Sequence, residues 1–99
     1  MVARVSSVRD RCVSVKYLSG DRYRYSVVVS RKRGNAVKRN RVKRLLREAM
    51  RTRQIDVPCG MYLIFMNKRC EEVPRQDLLT DLDRVLARIR NGLHAHHAT

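Results

Sequence analysis

Residues 31–53 read RKRGNAVKRNRVKRLLREAMRTR and hold eleven of the chain's 23 Lys and Arg residues around one acid, Glu48. Eleven bases less one acid place +10 of the formal +14 charge in this segment. Runs of like charge are often solvated or disordered tails, but here the apolar residues recur with a helical period. Asn35 suits an N-cap and no Gly or Pro follows it before residue 53, so the pattern predicts a helix from Ala36 to about Thr52. At about 100° per residue, Val42, Leu45, Leu46, Ala49 and Met50 share one stripe, which must pack on a sheet. Asn40, Arg44, Arg47 and Arg51 fall on the opposite stripe, flanked by Lys43 on one side and by Arg41 and Glu48 on the other. Lys38 and Arg39 project nearer the apolar side at the helix start, beside Arg31, Lys32 and Arg33 of the preceding loop. The bases form a continuous ridge whose repulsion Glu48 relieves only locally, through Arg44 at i−4.

Outward from this helix the periods change. Val13, Val15 and Tyr17 alternate with polar residues, which predicts a half-buried strand over about residues 11–18. Ser19-Gly20-Asp21 marks a turn, and Tyr23, Tyr25, Val27 and Val29 predict a second strand paired with the first as a hairpin. Downstream, Pro58 and Gly60 punctuate a loop before MYLIFMN, a short apolar run read as a strand inside the sheet and buried on both faces. A last helix follows, with Pro74 in its first turn, Leu78, Leu79, Leu82, Val85, Leu86 and Ile89 on one face, and Gly92 beyond its end. The order strand, strand, helix, strand, helix is that of an α+β chain, a two-layer α/β sandwich with a small mixed sheet covered on one side by helices. Residues 1–92 make one domain, and the aperiodic residues 93–99 are expected to form a flexible tail.

The composition limits what this domain does. Ninety-nine residues support one small core, and 43% hydrophobic content suffices to fold it. A charged fraction of 32% and a pI near 11.0 fit a protein that neutralises phosphates. Eight of the eleven bases in the ridge segment are Arg, whose planar fork grips phosphate bidentately and stacks on bases. Asn40 within the ridge suits a base edge or a ribose hydroxyl. So many bases with one acid exceed what a merely solubilising face needs. Nucleic acid precedes an anionic membrane as partner, because the helix lacks aromatic anchors on its apolar face. No stretch approaches the roughly 18 apolar residues of a membrane span, and MVARVSSVRDRC lacks a signal-peptide core, so a cytoplasmic protein is expected. Cys12, Cys59 and Cys70 lack metal-ligand spacing and are read as reduced thiols, with Cys12 and Cys59 part-buried near strands.

The stretch SRKRGNAVKRNRVKRLLREAMR, residues 30–51, closely resembles the signature of the bacterial ribonuclease P protein subunit. The carrying residues are Arg39-Asn40-Arg41, Lys43-Arg44 and Arg47-Glu48, preceded by Gly34-Asn35-Ala36-Val37. Weaker resemblance extends through SSVRDRCVSVKYL upstream and through GMYLIFMNK and the Leu-rich last helix downstream. The family implies a ribosomal-protein-S5-domain-2-like sandwich with a left-handed βαβ crossover. Residue patterning alone favours the commoner right hand. The resemblance also implies that the protein partners the ribonuclease P catalytic RNA in removing the 5′ leader from precursor tRNA, with the sheet's open face as the leader cleft. By that resemblance Ser30, Lys32, Arg39, Asn40, Arg41, Lys43, Arg44 and Arg47 bind RNA, and the charge pattern of the loop and ridge adds Arg31 and Arg51 to the RNA-binding set. Mg2+ is then used by the RNA, no cofactor is bound by the protein alone, and the protein is expected to be monomeric and bacterial.

The chain departs from the family in three places. Members usually begin with a basic helix of about one to two dozen residues whose aromatics line the leader cleft. Room for it is missing ahead of the first strand, so either the start is late or the cleft is incomplete. Lys16 replaces a frequent aromatic and Val28 a frequent polar residue, and Arg33 stands where an aliphatic usually precedes Gly34.

Phosphodiester hydrolysis needs clustered carboxylates with metal ions, or a general acid and base at the scissile bond. The nine acids are dispersed. Asp77 and Asp81 share a face of the last helix at i,i+4 and are read as solvated rather than metal-binding. His94, His96 and His97 lack supporting ligands. No catalytic residue is assigned to the protein, and by the resemblance the chemistry falls to the RNA. Tyr23 and Tyr25, between Arg22 and Arg24, suit either a stacking platform or the core beneath a helix, and the core is favoured. The alternatives are a structural RNA-binding protein of ribosomal type and a metal-dependent nuclease working without RNA.

Overall fold

The computed structural model describes residues 5–98, with side chains described through residue 92. Along the chain run β1 (Val5–Arg9), β2 (Val13–Ser19), β3 (Tyr23–Val28), α1 (Ala36–Thr52), β4 (Gly60–Met66) and α2 (Arg75–Ala98). Short 3-10 turns occupy Arg31–Arg33, Gln54–Asp56 and Cys70–Glu72. The strands form one sheet in the order β1-β2-β4-β3. β4 runs antiparallel to β2 and parallel to β3, so the β3–α1–β4 crossover joins neighbouring parallel strands.

This order removes the hairpin predicted between residues 11–18 and 22–29, because β4 lies between those two strands. Tyr62, Ile64 and Met66 of β4 are at most 5% exposed, and its backbone groups are paired on both edges, with β2 on one and β3 on the other. The hairpin that does form is β1–β2, from Val5↔Leu18 to Arg9↔Ser14, with the Asp10 amide donating to Val13 O at 2.9 Å. β1 carries no fully buried residue, so VSSVR has too weak an apolar alternation to be read as a strand. Helices cover only one side of the sheet. Hence β4 is not buried on both faces: Met61, Leu63 and Phe65 are half-buried on the open side.

Beneath the helices the core joins Val13, Val15 and Tyr17 of β2, Val27 of β3 and the inner face of β4. α1 lies over β3 and α2 over β1 and β2. Leu46, Ala49 and Met50 seat α1, and Leu78, Leu82, Val85, Leu86 and Ile89 seat α2. Tyrosines tie the layers together. The Tyr17 and Tyr62 rings lie 4.8 Å apart and Tyr23 and Tyr62 5.6 Å apart. Their hydroxyls donate to backbone carbonyls: Tyr17 to Cys59 and Tyr62 to Pro58, both at 2.5 Å, and Tyr23 to Met50 at the end of α1. Tyr23 and Tyr25 therefore serve the core. Cys12 and Cys70 are buried and Cys59 is exposed, the reverse of the part-burial predicted for Cys59. Burial, reinforced by Asp81, pushes the Cys12 thiol up to about 11, which keeps it unreactive.

α2 continues through Gly92 to Ala98 rather than ending before that glycine. Of the flexible tail expected over residues 93–99, residues 93–98 continue α2, and residue 99 lies outside the described residues. Asp77 is exposed, but Asp81 is fully buried, which corrects the solvated reading of that pair. Asp81 accepts the Cys12 amide at 3.2 Å and the Arg11 guanidinium at 3.4 Å, and Arg84 lies 3.6 Å away. Asp10 in the β1–β2 turn has Arg84 and Arg88 of α2 at 3.6 Å each. These carboxylates strap α2 to the hairpin turn.

Two outcomes follow from this packing. At Gly60, φ is +147° and an added Cβ would stand 2.4 Å from Leu18 O and 2.7 Å from Tyr17 Cε1. Gly60→Ala should lower stability by about 1–3 kcal/mol, read as a lower urea midpoint at unchanged slope, and an unchanged midpoint would show that the loop absorbs the methyl. Burial disfavours the Asp81 charge, but the Cys12 thiol, the Arg11 guanidinium and lastly the Cys12 amide together outweigh it and hold the carboxyl below its ordinary range. Its stabilisation is therefore present above the unfolded-state pKa of about 3.9 and is lost as pH falls through the native value. Asp81→Asn should be less stable than wild type at pH 7, with the gap narrowing below about pH 4; a pH-independent gap would count against a stabilised charge.

Candidate nucleic-acid interface

α1 begins where the chain leaves the Arg31–Arg33 turn through Gly34, whose φ of +153° favours glycine. The Asn35 side chain accepts the Lys38 amide at 2.9 Å and caps the helix as its position predicts. Arg39 is half-buried, and its Nε donates to Gly34 O at 3.1 Å, so this base also fixes the loop against the helix. Gly34 in turn lies against Cys70: a Cβ there would stand 3.4 Å from the Cys70 Cβ.

Asn40, Arg41, Arg44, Arg47 and Arg51 are exposed along the outer side of α1, with Lys43 half-buried beside them. Glu48 pairs with Arg51 at i+3 rather than with Arg44, and the hydrogen bonds from Arg51 hold its carboxyl below the ordinary range. The i+3 partner is in place because two guanidinium nitrogens meet two carboxylate oxygens. Among the described residues no acid lies within ion-pair distance of Arg41, Lys43, Arg44 or Arg47. Lys38 lies 3.9 Å from Glu71, and Arg53 is paired with Asp83 of α2. What the helix presents outward is a row of unmatched cations at fixed spacing, suited to successive phosphates.

Arg31 and Lys32 are exposed next to this ridge, whereas Ser30 and Arg33 turn the other way. They border a cavity of about 400 Å³ on the open face, together with Ser14, Lys16, Val28 and Phe65. The strand register arranges that face in rows: Arg9, Ser14, Phe65 and Val28; then Ser7, Lys16, Leu63 and Ser26; then Val5, Leu18, Met61 and Arg24. The Lys16 ammonium stands 5.8 Å from the Phe65 ring centroid. Phe65 is the aromatic of the open face, and the sequence reading misses it. Its signal was the period-2 alternation of β4, in which Phe65 is out of phase with Tyr62, Ile64 and Met66. The structure thus brings together the α1 bases, while Ser30 joins a second basic surface across the loop.

A family model described as Ribonuclease P matches residues 1–90. The Ribonuclease P protein component of Coprothermobacter proteolyticus is 41% identical over 75 residues, covering 76% of this chain and 56% of that protein. That of Thermus scotoductus is 38% identical over 78 residues, covering 79% and 47% respectively. The chain spans about half the length of the curated relatives it matches. Among solved structures, the RNase P protein of Staphylococcus aureus aligns with a TM-score of 0.79 at 25% identity, over 87% of this chain and 82% of that one. The RNase P protein of Thermotoga maritima aligns with a TM-score of 0.75 at 28% identity, over 85% and 83%. The family match begins ahead of β1 and runs through the whole ridge into α2, and by it the chain belongs to the Ribonuclease P family of proteins.

Proposed function

We propose that this chain is the RNA-binding protein subunit of ribonuclease P, assisting a catalytic RNA in the endonucleolytic removal of the 5′ leader from precursor tRNA. The observation that carries this reading is the α1 ridge, where among the described residues Arg41, Lys43, Arg44 and Arg47 have no acid within ion-pair distance, on a helix held by packing. In this reading the ridge and the Arg31–Lys32 turn engage the catalytic RNA. The single-stranded leader lies across the open face, over Lys16, Phe65 and Arg24. Bases on both sides of the sheet lower the repulsion between two polyanions, which favours their association. Mg2+ belongs to the RNA, which carries the hydrolysis. Support for that division comes from Asp81: the acid that sequence spacing pairs with Asp77 is engaged by the Cys12 amide and Arg11 inside the fold. The protein acts as a monomer in the bacterial cytoplasm. No described helix is long and apolar enough to cross a membrane.

Two measurements test this. Protein stripped of RNA should leave precursor tRNA intact, and adding it to its cognate catalytic RNA should restore cleavage at low magnesium. Cleavage by the protein alone after nuclease treatment would support a protein nuclease instead, and binding of folded RNA with no effect on cleavage would support a ribosomal-type role. Arg44→Ala should weaken binding of the catalytic RNA by about 1–3 kcal/mol and reduce the salt slope by roughly one phosphate's worth, about 0.7–0.9. An unchanged slope would remove Arg44 from the phosphate contacts.

A further inference from the structure

Among the described residues, no protein layer covers part of the apolar stripe of α1. Val42 and Leu45 are only half-buried and look across a groove at Val73 and Leu78, near the start of α2. The groove holds about 620 Å³, within the roughly 300–1,000 Å³ of small-ligand sites. Both of its walls are aliphatic at the floor. Along its α1 rim stand Lys38, Arg41 and Arg44, of which the two arginines have no acid in ion-pair range among the described residues. Glu48 and Glu71 also border it, each held by a neighbouring arginine yet keeping acceptor capacity.

These features define one occupant. The aliphatic walls call for a flat body that is largely apolar over its faces, and the arginines call for negative charge at the mouth. A bare anion would meet the two carboxylates and leave the floor wet. An apolar peptide side chain would cover the floor but leave Arg41 and Arg44 unmatched. A nucleotide with its base unpaired satisfies both levels, and a base amine finds an acceptor in Glu48 or Glu71. We infer that the groove between α1 and the start of α2 receives one unpaired nucleobase of the bound RNA, with its flanking phosphates on Arg41 and Arg44. This rests on the reading of α1 as an RNA-binding ridge and adds base capture to it. Bases bearing an exocyclic amine are held better than uracil.

The test uses the full chain and two single-stranded RNA heptamers that differ only at the centre, adenine in one and an abasic ribose in the other. The abasic strand should bind about tenfold more weakly. The methyl resonances of Val42, Leu45, Val73 and Leu78 should move with the adenine strand and stay with the abasic one. Leu45→Trp fills the floor and keeps the cations, so it should bind the two strands equally; Val73→Trp fills it from the opposite wall should the first variant not fold. Equal binding by the wild type, or adenine-dependent shifts confined to Leu63 and Val28 of the open face, would overturn base capture and leave the ridge in place. No binding of either strand or of folded RNA would overturn base capture and the RNA-binding reading together.

Discussion

Because β3 and β4 are parallel neighbours, the chain between them has to cross the sheet, and α1 is that crossing. β4 can take this place only because its inner face is apolar throughout and its backbone pairs on both edges, with β2 from Val13↔Met66 to Ser19↔Gly60 and with β3 from Tyr23↔Gly60 to Val28↔Phe65. Gly60 starts the strand where a Leu18 carbonyl and the Tyr17 ring leave no space for a Cβ. The same tyrosine cluster that closes this corner reaches the last turn of α1 through the Tyr23 hydroxyl. Position of the strand and position of the helix are therefore one problem of packing.

A helix so heavily charged on one side forms against its own electrostatics. Like charges at i,i+3 and i,i+4 each oppose the helix by roughly 0.2–0.5 kcal/mol, and screening at physiological salt shortens their reach to about 8 Å. Fully burying a residue such as Leu46 or Met50 is worth roughly 1.5–3 kcal/mol relative to exposure, and both are completely covered. Packing outweighs repulsion, and among the described residues Arg41, Lys43, Arg44 and Arg47 find no acid to pair with. That imbalance, tolerable only on a packed helix, leaves the ridge free to bind an external polyanion rather than an internal acid.

The loop from Ser30 to Gly34 connects two basic surfaces that face different directions. Arg39 anchors it from the helix and Cys70 backs it, while Arg31 and Lys32 extend the ridge and Ser30 and Arg33 border the open face. Arg33, the departure from the usual aliphatic, is thereby placed at the cavity that also holds Phe65 and Lys16. The groove beside α1 is a third feature of the same neighbourhood. Its floor is formed where Val42 and Leu45 of α1 face Val73 and Leu78.

The helix over Ala36–Thr52, its Asn35 cap, its outward bases and the buried face of α2 were legible in the sequence, since each depends on residues within a few turns of one another. So was the alternation of β2, with Val13, Val15 and Tyr17 inside. The insertion of β4 between β2 and β3 was not. Local alternation specifies that a strand has an inner face, whereas its neighbours are chosen by which distant edge completes the sheet. β1 escaped notice because an edge strand with serines carries little apolar signal. The partners of single charges were also decided in three dimensions: Asp81 meets Cys12 and Arg11 from the far end of the chain, and Glu48 meets Arg51 rather than Arg44. Sequence by itself determined which residues form the charged helix and that they face outward, because helical period alone does that. Tertiary structure decided what stands beside the ridge, because contacts between α1, the open face and the start of α2 join segments that no local period relates.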